Sequence, residues 1–360
     1  MKRWSLPITL ILLGAATGIG YATSWADIVK LNGDLRYRHE LSKEKEEEPR
    51  NRHRIRARIA VKAKPNQAIE TVFRIVTGSN DPRSTMQSLD GGFSDKSWML
   101  DLAYFDAALP LFRNAHLLGG KMRYPFLTTS LVWDQDVTPE GLALKFAHPF
   151  GATEPLANMG FFWIEERADD DDSYLLVGQG GMRVEPEASP VSFAVCGGVS
   201  QYTEAKGRPT FYDPARSRGN LVDTLGHYST DFTQIEGYVE LLATVAGIPV
   251  KVSGNYVKNA SADSLGQGFL AGMALGKAKK VNSWEVKYDY RRLEKDAVVA
   301  AFTDSDPWAG GGTDGECHKF QGGYEIAEKT QLTLIYFLAK NGLDQRNDYR
   351  KFRAELNLKF

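Results

Sequence analysis

Arginine occupies every second position at the beginning of the segment "RHRIRARIAVKA", at Arg52, Arg54, Arg56 and Arg58. Side chains two residues apart lie on the same face of a β-strand, so this spacing predicts a strand that carries a row of positive charge. The guanidinium group stays ionised and binds carboxylate and phosphate oxygens, which makes the row a candidate surface for anions. The alternative is a solvated face of an ordinary sheet, although like charges facing each other across strands destabilise a sheet.

Five more basic residues alternate in the same way on other segments. Arg36 and Arg38 belong to "VKLNGDLRYRH", Arg74 to "IETVFRIV", and Lys351 and Arg353 to the last segment. If the last strand pairs with the first, as in a closed barrel, four adjacent strands direct basic side chains to one surface. We call this surface the basic wall; its members are Arg36, Arg38, Arg52, Arg54, Arg56, Arg58, Arg74, Lys351 and Arg353.

Three carboxylates occur close together in the segment "VWDQDVTPEGLAL", at Asp134, Asp136 and Glu140. Asp and Pro are also common turn formers, so one interpretation of this segment is a solvated loop. The other is a group of negative charges that acts together with the basic wall. The segment alone does not decide between them.

No motif in the sequence predicts catalysis or a cofactor. The six histidines lack the His-Glu-x-x-His spacing of zinc hydrolases, and no Gly-x-Ser-x-Gly elbow is present. The segment "DSDPWAGGG" offers carboxylate oxygens, but it lacks the spacing and the closing Glu of an EF-hand calcium loop. We therefore expect no enzymatic activity, no metal and no cofactor, with a hydrolase assembled from a distant Ser-His pair as an alternative.

Period-two alternation recurs along the whole chain and fixes the fold class. It is strictest at the end, where Phe352, Ala354, Leu356, Leu358 and Phe360 alternate with polar residues. About sixteen such segments are present, and an even number suits a closed antiparallel barrel. The apolar face of such strands meets lipid and the polar face lines water, whereas in a soluble sandwich it would meet a second sheet.

The beginning of the chain predicts export. Residues 1–26 combine the basic Lys2 and Arg3 with a short apolar stretch and small residues near Ala26, the layout of a secretory signal peptide. A membrane anchor is the alternative, but the apolar stretch is shorter than the ~20 residues a spanning helix needs. Loss of the two cations changes the formal charge from -1 to about -3, which implies no attraction to nucleic acid. The mature domain would be residues 27–360.

The predicted connections alternate between long and short along most of the chain, with two longer even connections near residues 109–115 and 148–157 as exceptions. Long ones include residues 41–51, 78–98, 125–141, 202–232 and 295–317, while short ones include "KPNQ", "VAGIP" and "EKT". Transmembrane barrels have long external loops and short periplasmic turns, and a soluble sandwich has no reason for this asymmetry. Cys196 and Cys317 are the only cysteines, and their spacing does not show whether they pair.

The sequence resembles the bacterial outer-membrane porins, and most closely the family known as "putative porin". The resemblance rests on "VWDQDVTPEGLAL", which is similar to that family's third external loop, on "KDAVVAAFTDSDPWAGGGTDG", which is similar to its seventh, and on the terminal Phe360. It implies a trimeric, sixteen-stranded outer-membrane channel for small hydrophilic solutes or ions. It further implies contacts with lipid and lipopolysaccharide, and insertion by the barrel-assembly machinery through Phe360.

In such porins the third loop folds inward and narrows the pore, which would place Asp134, Asp136 and Glu140 opposite the basic wall. Facing charges of this kind select ions and orient dipolar solutes. The general porins of enteric bacteria have a Pro-Glu-Phe-Gly-Gly loop tip that is missing here. A surface adhesin or structural barrel acting through its long loops is the alternative function.

Overall fold

A computed structural model describes residues 28–110, 112, 114–187 and 189–360. The predicted signal peptide lies outside the described residues. The described elements are strands: β1 (Val29–Glu44), β2 (Arg50–Ala63), β3 (Ile69–Thr77), β4 (Gln87–Ser88), β5 (Trp98–Ala108), β6 (Ala115–Lys121), β7 (Glu140–Ala147), β8 (Thr153–Glu165), β9 (Ser173–Val184), β10 (Val191–Tyr202), β11 (Phe232–Val245), β12 (Ile248–Asn259), β13 (Gln267–Gly276), β14 (Trp284–Leu293), β15 (Gly315–Ala327), β16 (Thr330–Asn341) and β17 (Asn347–Lys359).

Sixteen of the strands in the described residues form one closed antiparallel barrel, as the sequence predicts. Each pairs with its neighbours in chain order, and β1 closes the ring by pairing with both β2 and β17. The short β4 is the exception, since it lies within a loop and adds two residue pairs to β2. None of the described residues forms a helix long and apolar enough to cross a membrane.

The two faces of the strands differ as the alternation requires. On β1, Leu31, Leu35 and Tyr37 are exposed on the outside of the barrel, whereas Arg38 and Glu40 are buried on the inside. Branched and aromatic side chains favour the extended conformation and here also form the apolar outer band. Cys196 and Cys317 are both free thiols, so the described structure contains no disulfide between them.

All the long connections lie at one end of the barrel, where we number the connections L1 to L8; L2, L3, L5 and L7 are the long ones. Their residues are 45–49 (L1), 78–97 (L2), 122–139 (L3), 166–172 (L4), 203–231 (L5), 260–266 (L6), 294–314 (L7) and 342–346 (L8). Those at the other end are short turns, such as 246–247 and 328–329. The prediction of a long first loop over 41–51 is wrong, because β1 and β2 stay paired as far as Ser42 and Arg50.

The long loops pack inside the barrel mouth instead of extending from it. Trp133 of L3 stacks on Tyr124 and on Phe302 of L7, with ring centroids 4.1 and 5.6 Å apart. Phe211 and Tyr228 of L5 belong to the same apolar cluster and are almost fully buried. A second cluster joins Leu131 of L3 and Trp308 of L7 to the inner faces of β12 to β17. Burial of these aromatic side chains holds the loops in fixed positions.

Candidate functional site

The register of three strands arranges the basic residues in layers along the barrel interior. We define a rung as three residues that lie directly opposite one another on β2, β1 and β17. From the turn end to the loop end, the rungs are Arg58–Asp34–Lys359, Arg56–Arg36–Asn357, Arg54–Arg38–Glu355, Arg52–Glu40–Arg353 and Arg50–Ser42–Lys351. Cations outnumber carboxylates in each rung, so the inner faces of these three strands carry a surplus of positive charge along their length.

Carboxylates on the same inner face are shared between several cations. Asp34 lies 2.8 Å from Arg56 and 2.7 Å from Arg58. Glu355 lies 2.7 Å from Arg38 and 3.5 Å from Arg36. This sharing reduces the repulsion between like charges on neighbouring strands, because Arg36, Arg38, Arg56 and Arg58 each have an acid within ion-pair distance.

Glu40 is the most central of these acids. It is 1% exposed and contacts Arg52, while Arg353 lies 3.4 Å and Arg38 3.9 Å from its carboxylate. Sequence reasoning missed Glu40 and Glu355 as members of the site, although both alternate in step with the arginines. The available signal was that Glu40 and Glu355 have the same parity as the arginines on the polar faces of the first and last strands.

Arg54 and Arg74 differ from the rest of the basic wall. Within the described residues, Arg54 has no carboxylate at ion-pair distance; it donates instead to the carbonyl oxygen of Met86, at 2.8 Å, and to Ser84 Oγ, at 3.1 Å. Both partners belong to L2, so Arg54 fixes that loop against β2. Arg74 is buried on β3 and pairs with Asp101 of β5, which separates it from the rungs.

L3 crosses the barrel interior and contacts four strands of the opposite side in succession. Leu127 N donates to Gln179 of β9 at 3.0 Å, and Thr128 Oγ1 donates to Glu236 of β11 at 2.5 Å. Thr129 Oγ1 donates to Asn255 of β12 at 2.6 Å, and Ser130 Oγ accepts from Arg291 of β14 at 2.8 Å. On the turn side of L3, a cavity of about 640 Å³ continues between this loop and β10 to β14.

The three carboxylates predicted in this segment have different surroundings. Asp136 accepts from Thr85 N at 3.2 Å and lies within electrostatic range of Arg36 and Arg56 of the basic wall. Glu140 is the first residue of β7 and lies on the same face of the strand as the exposed Leu142. It pairs with Lys121 at 2.8 Å. L3 therefore brings Asp136 towards the basic wall but leaves Glu140 apart from it.

Asp134 is buried between L3 and L7. Its Oδ2 accepts from Ser305 N at 3.2 Å, and its backbone N donates to Phe302 O at 2.8 Å. Burial, together with the nearby Asp304 and Asp136, raises the pKa of Asp134 well above its usual value. Burial also opposes ionisation of Asp304, but the combined charges of Arg291, Lys319, Arg353 and Lys351 outweigh it and lower the pKa of Asp304. Asp134 thus favours its proton while Asp304 stays charged.

L7 supplies two further acids that sequence reasoning did not assign to the site. Asp304 lies 2.9 Å from Arg291, and Asp306 contacts Arg353 and lies 3.4 Å from Lys351. The apolar run Ala297–Ala301 of L7 is almost fully buried, and such a run inside a predicted external loop was the signal. Among the described residues, no group of His, Cys, Asp and Glu forms a metal cluster.

The chain matches the family described as "Putative porin" over residues 40–234 and 231–360. No curated protein matches it. Among solved structures, it is similar to OprB of Pseudomonas putida at 10% identity and a TM-score of 0.62, covering 93% of this chain and 94% of that one.

Two further structures have the same fold. The outer membrane channel DcaP of Acinetobacter baumannii has 11% identity and a TM-score of 0.54, with 92% of this chain and 97% of that one covered. The trimer form of OmpT of Vibrio cholerae has 11% identity and a TM-score of 0.53, with 93% and 100% covered. At such identities the structural similarity establishes the fold alone.

Proposed function

This chain belongs to the "Putative porin" family and is an outer-membrane channel, and from this premise we propose that it passes small hydrophilic solutes and ions by passive diffusion. The polar inner faces of the strands and the cavity beside L3 support a water-filled path. We further propose that L3 narrows this path, which its contacts with β9, β11, β12 and β14 support.

The proposed pore prefers anions, and the observation that carries this is the surplus of cations in every rung. Low-dielectric walls focus the field of these charges on an ion in the lumen. Asp136 opposes Arg36 and Arg56 across the proposed constriction and reduces the preference without reversing it, because it is one charge against several. Burial favours the protonated form of Asp134, which lowers its contribution, and we leave Glu140 out of the proposed constriction because it pairs with Lys121.

Export, insertion and assembly complete the proposal. Residues 1–26 are a signal peptide, and the mature domain is residues 27–360. The barrel-assembly machinery recognises Phe360, the outer band contacts lipid and lipopolysaccharide, and the channel is a homotrimer, for which the trimer form of OmpT is a structural precedent. The channel acts without enzymatic activity. An adhesin is less well supported, because L5 and L7 bury their apolar residues in the barrel mouth.

Planar bilayer recordings of the purified protein test the proposal. We expect stepwise conductance increments and, in a salt gradient, a reversal potential that indicates chloride preference. Replacing Arg54 and Arg56 together with Ser should shift the reversal potential towards potassium, because two lumen cations are lost.

The matched control replaces Lys43 and Arg350 with Ser. These two cations lie opposite each other on the outer face of β1 and β17, so their loss changes the total charge equally but leaves the lumen unchanged. Potassium preference in the wild type, or the same shift in both variants, would contradict the assignment of selectivity to the basic wall.

A further inference from the structure

Asp306 of L7 is a loop acid that pairs with two cations of a barrel strand. Glu40, Glu355 and Asp34 project from the barrel strands, whereas Asp306 comes from a loop and reaches the strand residues Lys351 and Arg353. The two cations are neighbours on one face of β17, and each is 3% exposed. Asp306 is 30% exposed, so its carboxylate lies between the lumen and the buried cations.

The two cations are held in place independently of Asp306. The ring of Phe337 on β16 lies 5.0 Å from Lys351 Nζ and 5.0 Å from the guanidinium carbon of Arg353. Glu40 lies 3.4 Å from Arg353 on the side of β1. The Lys351 ammonium and the Arg353 guanidinium are therefore fixed beside an aromatic ring, with the Glu40 carboxylate next to Arg353. Two cations held in this way form a preorganised recess for an oxyanion.

We propose that Lys351 and Arg353 form a binding site for small carboxylate anions, and that the Asp306 side chain occupies this site as a built-in carboxylate. The proposal rests on the proposed channel function and goes beyond it, because it makes L7 a competitor for anions that enter the lumen. Asp306 neutralises the rungs nearest the loop end, and its removal exposes the two cations to the solution.

L7 has enough other anchors to keep its position when Asp306 is changed. Asp304 pairs with Arg291, the buried Trp308 packs in the second apolar cluster, and Asn220 of L5 donates to Val298 O at 2.9 Å. Asp306→Ala therefore removes a carboxylate and leaves a space beside Lys351 and Arg353. Acetate carries the group that has been removed and fits the space.

The test measures chloride conductance of Asp306→Ala channels as acetate is added. We expect saturable inhibition by acetate, with a half-inhibitory concentration roughly tenfold lower than in the wild type, because the competing side chain is gone. Asp344→Ala is the matched control; Asp344 is an exposed L8 carboxylate that pairs with Lys295, and its loss should leave acetate sensitivity at the wild-type level.

Two more variants keep the inference falsifiable. Combining Asp306→Ala with Arg353→Gln should abolish the acetate inhibition. Asp306→Asn, which preserves the size of the side chain, should increase chloride preference relative to the wild type. Unchanged acetate sensitivity in Asp306→Ala, or unchanged chloride preference in Asp306→Asn, overturns the inference. Either result would leave the role of Arg54 and Arg56 in ion selectivity unaffected. A wild-type protein without conductance would instead overturn the proposed function.

Discussion

Arg291 is the cation that neutralises the buried Asp304 and connects a barrel strand to two loops. It is 2% exposed and donates to Asp304, to Asp289 and to Ser130, which links β14 to both L3 and L7. Arg291→Gln leaves Asp304 buried without its main cation, and breaking a buried pair in this way costs about 3–5 kcal/mol. Urea titration of the barrel in lipid vesicles should show a free energy of unfolding lower by that amount.

Arg346→Gln is the control for this prediction. Arg346 pairs with Glu316 but its side chain is 53% exposed, and exposed pairs contribute about 0–1 kcal/mol. Equal stability of the two variants would show that Asp304 tolerates its burial without Arg291.

At the residue scale, the sequence predicts positions on a face but not the partners of each side chain. The basic wall was predicted because period-two alternation assigns the arginines of β1 and β2, together with Arg353 of β17, to one side, whereas Arg350 falls on the other. The pairing register between adjacent strands decides which side chains become neighbours. A shift of the register by one residue would change every neighbouring pair. Asp306 could not be assigned to Arg353, because that contact depends on how L7 folds.

The seam between the first and last strands is the element on which closure of the barrel depends. Gly33 N donates to Phe360 O at 3.2 Å, and Phe360 N donates to Gly33 O at 3.1 Å. A Cβ at position 33 would overlap the Phe360 ring and the carbonyl oxygen of Arg58. Gly33→Ala should therefore reduce stability by about 1–3 kcal/mol, the usual cost of overpacking.

The yield of heat-modifiable barrel on an unboiled gel measures this effect. Gly178→Ala is the control, since Gly178 also faces outward on its strand and a Cβ there meets nothing within 4 Å. Deletion of Phe360 should reduce assembly further, because it removes both the ring and its two hydrogen bonds with Gly33. Normal assembly of both seam variants would mean that other strand pairs suffice for closure.

Strands were predictable and loops were not, for a physical reason. The outer faces of the strands form one apolar band, so the alternation of apolar and polar residues repeats around the barrel, as in β1, β2 and β17. The sequence of L7 has no such repeating pattern. Its run Ala297–Ala301 is apolar because it packs against L3, L5 and the inner faces of the strands. Sequence shows that this run is apolar, whereas only the folded chain shows what covers it.

The whole molecule combines a slightly negative total charge with a surplus of positive charge on the inner faces of β1, β2 and β17. The chain has a formal charge of -1, yet every rung of its interior carries more cations than carboxylates. Charges on exposed loops are screened by salt water, while those along the basic wall lie close to a passing ion. Selectivity should accordingly follow the lumen and not the total charge.

Salt concentration separates these two contributions. The Debye length falls from about 10 Å at 0.1 M to about 3 Å at 1 M, so the field of the rungs should reach less of the lumen at high salt. At a fixed concentration ratio across the bilayer, we expect the chloride preference of the wild type to decrease as the mean salt concentration rises over this range. The Arg54→Ser, Arg56→Ser double variant should change less, because it has less field to screen, whereas the Lys43→Ser, Arg350→Ser variant should follow the wild type. A preference that stays constant with salt in all three proteins would mean that selection depends on the width of the pore and not on its charge.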